Sequence, residues 1–251
     1  MERDAYAPGT PSWVDIASID LEATHAFYPA LFGWERQDAG SLEETGGYGF
    51  YLQRGKRVAG YGPANAPGVW WTTYMTVDDA SATAGMVELN GGTTLAAPMQ
   101  VMDAGTMAVF SDPTGAAFAV WQPGQSHGAQ IVNEPGAFSW AELMTRDLPA
   151  ALAFYQAVFG WTEENGPEAP YKELAVDGVV VAAAQAIGAD MPAEVPPHWN
   201  VYFGVHDVDR AAAQAADLGG TVRVEPFDIP DVGRIAVLGG PHDEGFSIFG
   251  F

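Results

Sequence analysis

Two carboxylates occupy the same place in two stretches of the chain. Asp15 stands two residues after Trp13 in Ser-Trp-Val-Asp-Ile, and Glu142 two residues after Trp140 in Ser-Trp-Ala-Glu-Leu. In a strand, residues two apart share a face, so each carboxyl group lies on its tryptophan's side. Held there away from water it would resist ionising, and its pKa would climb toward the range useful for proton exchange near neutrality. Three roles are open to such a pair: a structural anchor bonded to Tyr74 or Tyr202 or to backbone amides, a polar contact for a bound molecule, or a general acid or base. Other chemistry is narrowed by what the chain lacks. With no cysteine there is no thiolate nucleophile, no disulfide and no Cys-held metal. No Ser-His-Asp pattern, phosphate loop, Gly-x-Gly-x-x-Gly run or His-Glu-x-x-His helix is present.

The five histidines are scattered. His25 falls on a helix whose second version has Leu152, His127 in a linker, and His206 at a helix start. His198 precedes Trp199 at the edge of a strand that faces the presumed pocket, which makes it a candidate ligand contact. His242-Asp243-Glu244 sits in a turn, where three adjacent side chains do not easily point at one ion.

The elements that position these residues are written twice. Ser12 to Glu35 and Ser139 to Thr162 are identical at 12 of 24 positions at an offset of 127. At an offset of 128, Trp71, Tyr74 and Val77 fall on Trp199, Tyr202 and Val205, Gly91-Gly92-Thr93 on Gly219-Gly220-Thr221, and Val109, Pro113 and Phe118 on Val237, Pro241 and Phe246. A tandem duplication follows. Residues 1–8 read as a tail, 9–123 as the first domain, the Gly/Gln/Pro-rich 124–135 as a linker and 136–251 as the second domain. Within each copy, period-2 stretches (12–19, 48–53, 57–62, 71–77, 107–110 and 117–121 in the first) alternate with two helices. One helix follows Asp20 and stops at Gly33; the other follows Asp78-Asp79 and stops at Gly91-Gly92.

The fold class is therefore α+β, with two βαβββ units per domain forming a curled mixed sheet and the helices outside it. Aliphatic strand faces belong under the helices. The opposite, concave faces should carry Trp13, Asp15, Thr72, Tyr74, Ala119 and Trp121 in the first copy. In the second they should carry Trp140, Glu142, Asn200, Tyr202, Ser247 and Phe249. The length of 251 residues, 48% hydrophobic and 17% charged, suits such a two-domain globular chain. Ten Lys and Arg against 32 Asp and Glu give a formal charge of −22, which repels phosphate backbones and anionic headgroups, so neither nucleic acid nor a membrane surface is an expected partner. No apolar leader and no run of about 20 apolar residues is seen, which points to a cytoplasmic protein. Nearly all the acidic charge is expected to face solvent, and only Asp15 and Glu142 the cavities.

Tandem βαβββ units with Asp20-Leu21, Phe27-Tyr28 and Gly33-Trp34 on the first helix, Val77-Asp78-Asp79 at the second, a Gly-Gly-Thr step and an Asp-Pro-x-Gly turn resemble the vicinal oxygen chelate superfamily. That superfamily includes glyoxalase I, extradiol dioxygenases, fosfomycin-resistance enzymes and bleomycin-binding proteins. The resemblance implies the fold more firmly than the activity. Its metalloenzymes hold a divalent ion on the concave face with His, Gln or Glu from four strands. The matching positions are Trp13, Thr72 and Ala119 in one copy and Trp140, Asn200 and Ser247 in the other. The remaining strand, 57–62 or 180–185, offers only Gln185. No metal and no other cofactor is therefore expected at the family position, a divalent metal being the alternative.

Two functions stand open, beside a degenerate structural relative whose aromatics simply fill the disused cavities. One is metal-free binding of a small hydrophobic or aromatic metabolite or antibiotic, lined by Trp13, Thr72, Tyr74, Trp121, Trp140, His198, Asn200, Tyr202, Ser247 and Phe249. The other is an enzyme, a glyoxalase-type lyase or isomerase or a hydroxylase-type relative, working through Asp15 and Glu142 or through a metal held elsewhere. Because single-domain relatives dimerise to complete their sites, the resemblance implies either a monomer with internally paired domains or a homodimer.

Overall fold

The computed structural model describes residues 1–165, 169–189 and 191–251. In the first half β1 (Pro11–Ser18), α1 (Leu21–Phe32), β2 (Glu35–Asp38), α2 (Leu42–Thr45), β3 (Gly49–Gln53) and β4 (Lys56–Pro63) make one unit, and β5 (Trp70–Thr76), α3 (Ala80–Leu89), β6 (Thr93–Val101), β7 (Gly105–Ser111) and β8 (Ala117–Pro123) the next. The second half repeats them as β9 (Phe138–Thr145), α4 (Leu148–Phe159), β10 (Thr162–Glu163), β11 (Tyr171–Val176) and β12 (Val179–Ala186), then β13 (His198–Val205), α5 (Val208–Asp217), β14 (Thr221–Ile229), β15 (Gly233–Gly239) and β16 (Gly245–Gly250). Each half is one eight-stranded mixed sheet, ordered β2-β3-β4-β1-β5-β8-β7-β6 and β10-β11-β12-β9-β13-β16-β15-β14. The α+β class and the doubled units are as expected.

Local chemistry explains the repetition. The Asp20 and Asp147 side chains accept from the amides of Ala23 and Ala150 and start α1 and α4, which end at Gly33 and Gly160 in the left-handed conformation (φ 73° and 71°). Asp79 and Asp207 cap α3 and α5 with the same backbone angles. The strands β2 and β6 escape the sequence reading because both are sheet edges. The four residues of β2 are all exposed polar groups, and β6 exposes Leu95 and Met99 alongside Thr93, so neither shows the apolar alternation that marks a half-buried strand.

Both sheets turn their convex, helix-bearing faces toward each other. Trp71 and Phe32 pack on Phe203 (centroids 4.9 and 5.0 Å), and Phe118 on Tyr155 (5.6 Å), so a single apolar core runs through both halves. Each such buried aromatic contributes about 1.5–3 kcal/mol. Two related sutures cross this seam. The Tyr28 hydroxyl donates to Glu244 Oε1 (2.8 Å) and accepts from Trp71 Nε1 (3.1 Å); the Tyr155 hydroxyl donates to Asp112 Oδ2 (3.1 Å) and accepts from Trp199 Nε1 (2.9 Å). The carboxylates come from different ends of matching turns, because Gly240 stands where Asp112 would. A Cβ on Gly240 would collide with the Glu244 carboxylate and lie 2.6 Å from the Tyr28 hydroxyl.

This corrects the expected placement of acidic charge. Asp112 and Glu244 are as buried as Asp15 and Glu142 (3% and 4% exposed against 7% and 4%), and Glu244 is no surface turn residue. They hold the halves together.

Residues of the 124–135 stretch lie along the first sheet, with Ala129 N bonded to Ser12 O (2.8 Å) and Gln130 N to Arg57 O (2.8 Å).

Candidate functional site

Strand register brings the singled-out residues onto one face of each sheet. In the first half Trp13 pairs with Tyr74, Asp15 with Thr72 and with Gly60, Tyr74 with Ala119, and Thr76 with Trp121. In the second Trp140 pairs with Tyr202, Glu142 with Asn200 and with Ala183, Tyr202 with Ser247, and Gly204 with Phe249. Partners across a ladder point to the same side. These concave faces lie opposite the helices.

A chain of polar groups runs over the first face. Trp13 Nε1 donates to the Tyr48 hydroxyl (3.0 Å), Tyr48 donates to Asp15 Oδ2 (3.1 Å), and Tyr74 donates to the same oxygen (2.8 Å). Burial pushes the Asp15 carboxyl up to about 6, and the hydroxyls of Tyr74, Tyr48 and Thr72 hold it from rising further. Burial, and then the Asp15 charge, drives Tyr48 and Tyr74 well above their usual range, so both stay protonated donors. Gly60 lies under this group. A side chain there would meet the Tyr48 ring at 2.8 Å and Asp15 Cβ at 2.9 Å.

The second face repeats the motif loosely. Trp140 Nε1 donates to Tyr171 (2.9 Å) and Tyr202 donates to Glu142 Oε2. Burial raises the Glu142 pKa and the Tyr202 bond opposes the rise. Asn200 Nδ2 donates to Ser247 Oγ (2.8 Å). Trp140, Tyr202 and Asn200 are half-buried, whereas Trp13 and Tyr74 are buried. The remaining expected residues stand apart from these groups. Trp121 donates to Ser126 O (2.8 Å), Phe249 packs on Phe251 (5.3 Å), and half-buried His198 turns Nδ1 to Pro196 O (2.8 Å), its pKa lowered by burial. His25 is bonded to Tyr51 (Nδ1 to hydroxyl, 2.9 Å) on the helix side.

Comparison with known proteins places the fold. The model of the Glyoxalase/Bleomycin resistance protein/Dioxygenase superfamily matches residues 137–246. Across nearly the whole chain, "Putative glyoxylase CFP32" of Mycobacterium bovis is 40% identical over 256 residues (98% of this chain, 97% of that protein). "Anthracycline biosynthesis protein DauV" of a Streptomyces species is 39% identical over 264 residues (97% and 94%). The chain belongs to this superfamily. Among superfamily structures, the Mn(II)-bound glyoxalase of Novosphingobium aromaticivorans superposes with a TM-score of 0.66 at 17% identity (96% of this chain, 82% of that one). The 2,3-dioxygenase LapB of Pseudomonas sp. KL28 superposes with 0.68 at 15% identity (98% and 94%). At those identities the likeness is one of fold.

The superfamily's metal does not fit the residues present. Trp13 and Trp140 have their indole N–H groups committed to tyrosines, Asn200 and Ser247 bond each other, and Thr72 and Ala119 bring no charged or imidazole donor. Among the described residues no group of three His, Asp or Glu comes together in a way that could hold a metal. A divalent ion needs several such ligands converging at about 2 Å. What each face offers instead is a protonated tyrosine beside a carboxyl group that exchanges its proton above the usual carboxylate range.

Two residues that complete these groups were missed. Tyr48 stands immediately before β3 and Tyr171 at the start of the matching strand β11, and their hydroxyls take up the two tryptophan N–H bonds. The signal lay in the repeat, since a tyrosine stands at the corresponding place in both copies. Glu173 is a further acid on the second face, sharing a ladder position with Ala183 and Glu142.

Proposed function

We propose that the chain binds a flat, hydrophobic or aromatic small molecule on its concave faces without the help of a metal. The observation that carries this reading is the tryptophan, tyrosine and single buried carboxyl group standing where a metal centre would need several His or Glu ligands. Aromatic faces supply contact area, and a few aimed polar groups fix orientation. The name of one relative, an anthracycline biosynthesis protein, supports a fused-ring aromatic ligand of that general kind. The acidic chain is read as a cytoplasmic protein, with residues 9–123 and 136–251 as its two domains and 124–135 between them. Each domain completes the other's core, so the monomer is taken as the working unit, and light scattering at twice the chain mass would revise that to a homodimer.

One observation favours a second reading. Asp15 exchanges its proton near pH 6 beside two tyrosine hydroxyls, the equipment for moving a proton at an activated carbon, as a metal-independent lyase or isomerase requires. Titration of the chelator-treated protein with a polycyclic quinone, followed by tryptophan quenching, tests the first reading. Binding unchanged by chelation supports it; stoichiometric Mn, Ni, Zn or Fe in the purified protein, or binding lost on chelation, overturns it. Turnover of a bound compound that Asp15→Asn abolishes while binding survives moves the assignment to the enzyme.

A further inference from the structure

A chain with few cations places two of them at one pocket, and among the described residues neither is ion-paired to a carboxylate. Arg3 and Arg57 border a pocket of about 200 Å³ at the end of the first concave face, with His127, Gln125 and Gln130. By contrast Arg54, Lys56, Arg223 and Arg234 all lie against carboxylates. Gln130 fixes the pair: its backbone N–H bonds Arg57 O (2.8 Å), its side-chain oxygen accepts from Arg57 N (2.9 Å), and its carbonyl accepts from Arg3 N (3.0 Å). One carboxylate, Asp4, also borders the space and tempers its charge.

Arg57 joins the pocket to the aromatic face. The Arg57 guanidinium lies 4.0 Å over the Phe50 ring, and Phe50 meets Trp13 and Tyr48 edge-on (centroids 6.2 and 5.8 Å). A flat molecule lying along Trp13 and Phe50 would therefore end at Arg57. We propose that this pocket is an oxyanion subsite, and that the molecule bound on the first face carries a carboxylate, sulfonate or phosphate group beside its aromatic body. The proposal rests on the aromatic-binding reading and adds the charge of the ligand. Guanidinium groups suit it because their planar donors match two oxygens of such a group. In the second half Val180 pairs with Ala175 where Arg57 pairs with Leu52, and Glu173 stands at the ladder position that Phe50 holds in the first.

The test uses 2-naphthoate and its neutral counterpart 2-naphthamide, titrated into the full chain and followed on the indole N–H signals of Trp13 and Trp121, assigned through Trp13→Phe and Trp121→Phe. Naphthoate should bind about tenfold more tightly than naphthamide. Arg57→Gln should erase that margin and leave naphthamide affinity unchanged, and Arg57→Lys should keep part of it. Should Arg57→Gln disturb folding, Arg3→Gln, at the exposed amino-terminal end, should reduce the margin by itself. Equal affinities in the native chain, or a margin that survives Arg57→Gln combined with Arg3→Gln, would overturn the subsite and leave aromatic binding standing. If neither compound shifts either signal, the aromatic-binding reading falls as well.

Discussion

The two concave faces start from one pattern and end as different sites. In the first, Asp15 takes two tyrosine donors, its tryptophan is buried, and Arg57 stands at the rim. In the second, Glu142 takes one tyrosine donor, its tryptophan is half-buried, and Asn200, Ser247 and Glu173 make the surroundings polar. A small difference underlies this. Gly60 lies opposite Asp15, and Ala183 lies opposite Glu142. The missing methyl lets the Tyr48 ring come down onto the strand and reach the carboxylate, whereas in the second face Ala183 carries a methyl at that position and, among the described residues, the Tyr171 hydroxyl bonds Trp140 and not Glu142. Duplication supplied two copies of a scaffold, and single-atom differences in the floor decided which copy closes tightly around its acid.

The most severe way to break the contrast is to give the first face the second face's floor. Gly60→Ala places a Cβ against the Tyr48 ring and Asp15 Cβ, both inside 3.0 Å, and the ring is pinned by its bond to Trp13 and its contact with Phe50. Denaturant melts should show a loss of about 3 kcal/mol, the upper range for overpacking. The reverse change, Ala183→Gly, adds backbone freedom and removes one methyl, and should cost about 1 kcal/mol. A Gly60→Ala protein as stable as the native one would mean that the glycine does not shape the site.

A smaller effect of opposite sign concerns the acid. The folded pKa of Asp15, about 6, lies above its unfolded value of 3.8, so between those pH values the folded chain keeps a proton that the unfolded chain has released. The contribution of Asp15 to stability therefore falls as pH rises from about 4 to 6 and stays low above that. Asp15→Asn keeps an acceptor for Tyr74 without the charge. It should raise stability above pH 6 by about 2 kcal/mol and flatten the dependence between pH 4 and 6. Glu142→Gln should act in the same direction. A difference between the native and Asp15→Asn stability curves that stays constant from pH 4 to 6 would contradict the buried state of Asp15.

Much of this was legible in the residues. Trp13, Asp15 and Tyr74 came from strict alternation in two strands, a local property that any register preserving the face must respect. Asp20 and Gly33 marked both helix ends because caps are local too. What stayed hidden depends on contacts distant in sequence. Glu244 reads as part of a solvated turn until α1 brings Tyr28 to it from 216 residues away. Tyr48 precedes a strand, and only the docking of that strand on β4 brings it over Gly60 to Asp15. Edge strands such as β2 lack the one-sided burial that writes a pattern into sequence.

The mildest test separates the two tyrosines at the head of matching strands, Tyr48 just before β3 and Tyr171 first in β11. Tyr48→Phe removes one donor from the Asp15 carboxylate and the acceptor of a buried indole N–H. A carboxylate that loses a donor is harder to ionise, so the Asp15 midpoint, read from its carboxyl carbon by NMR, should move further above 6, with a stability loss of about 1 kcal/mol above that pH. Tyr171→Phe removes the bond from Trp140, which water can replace on the more open face. The Glu142 midpoint should then stay where it is. Equal displacement of both midpoints would show that Tyr171 reaches Glu142 in solution, and that the floor residue, glycine or alanine, does not set the difference between the faces.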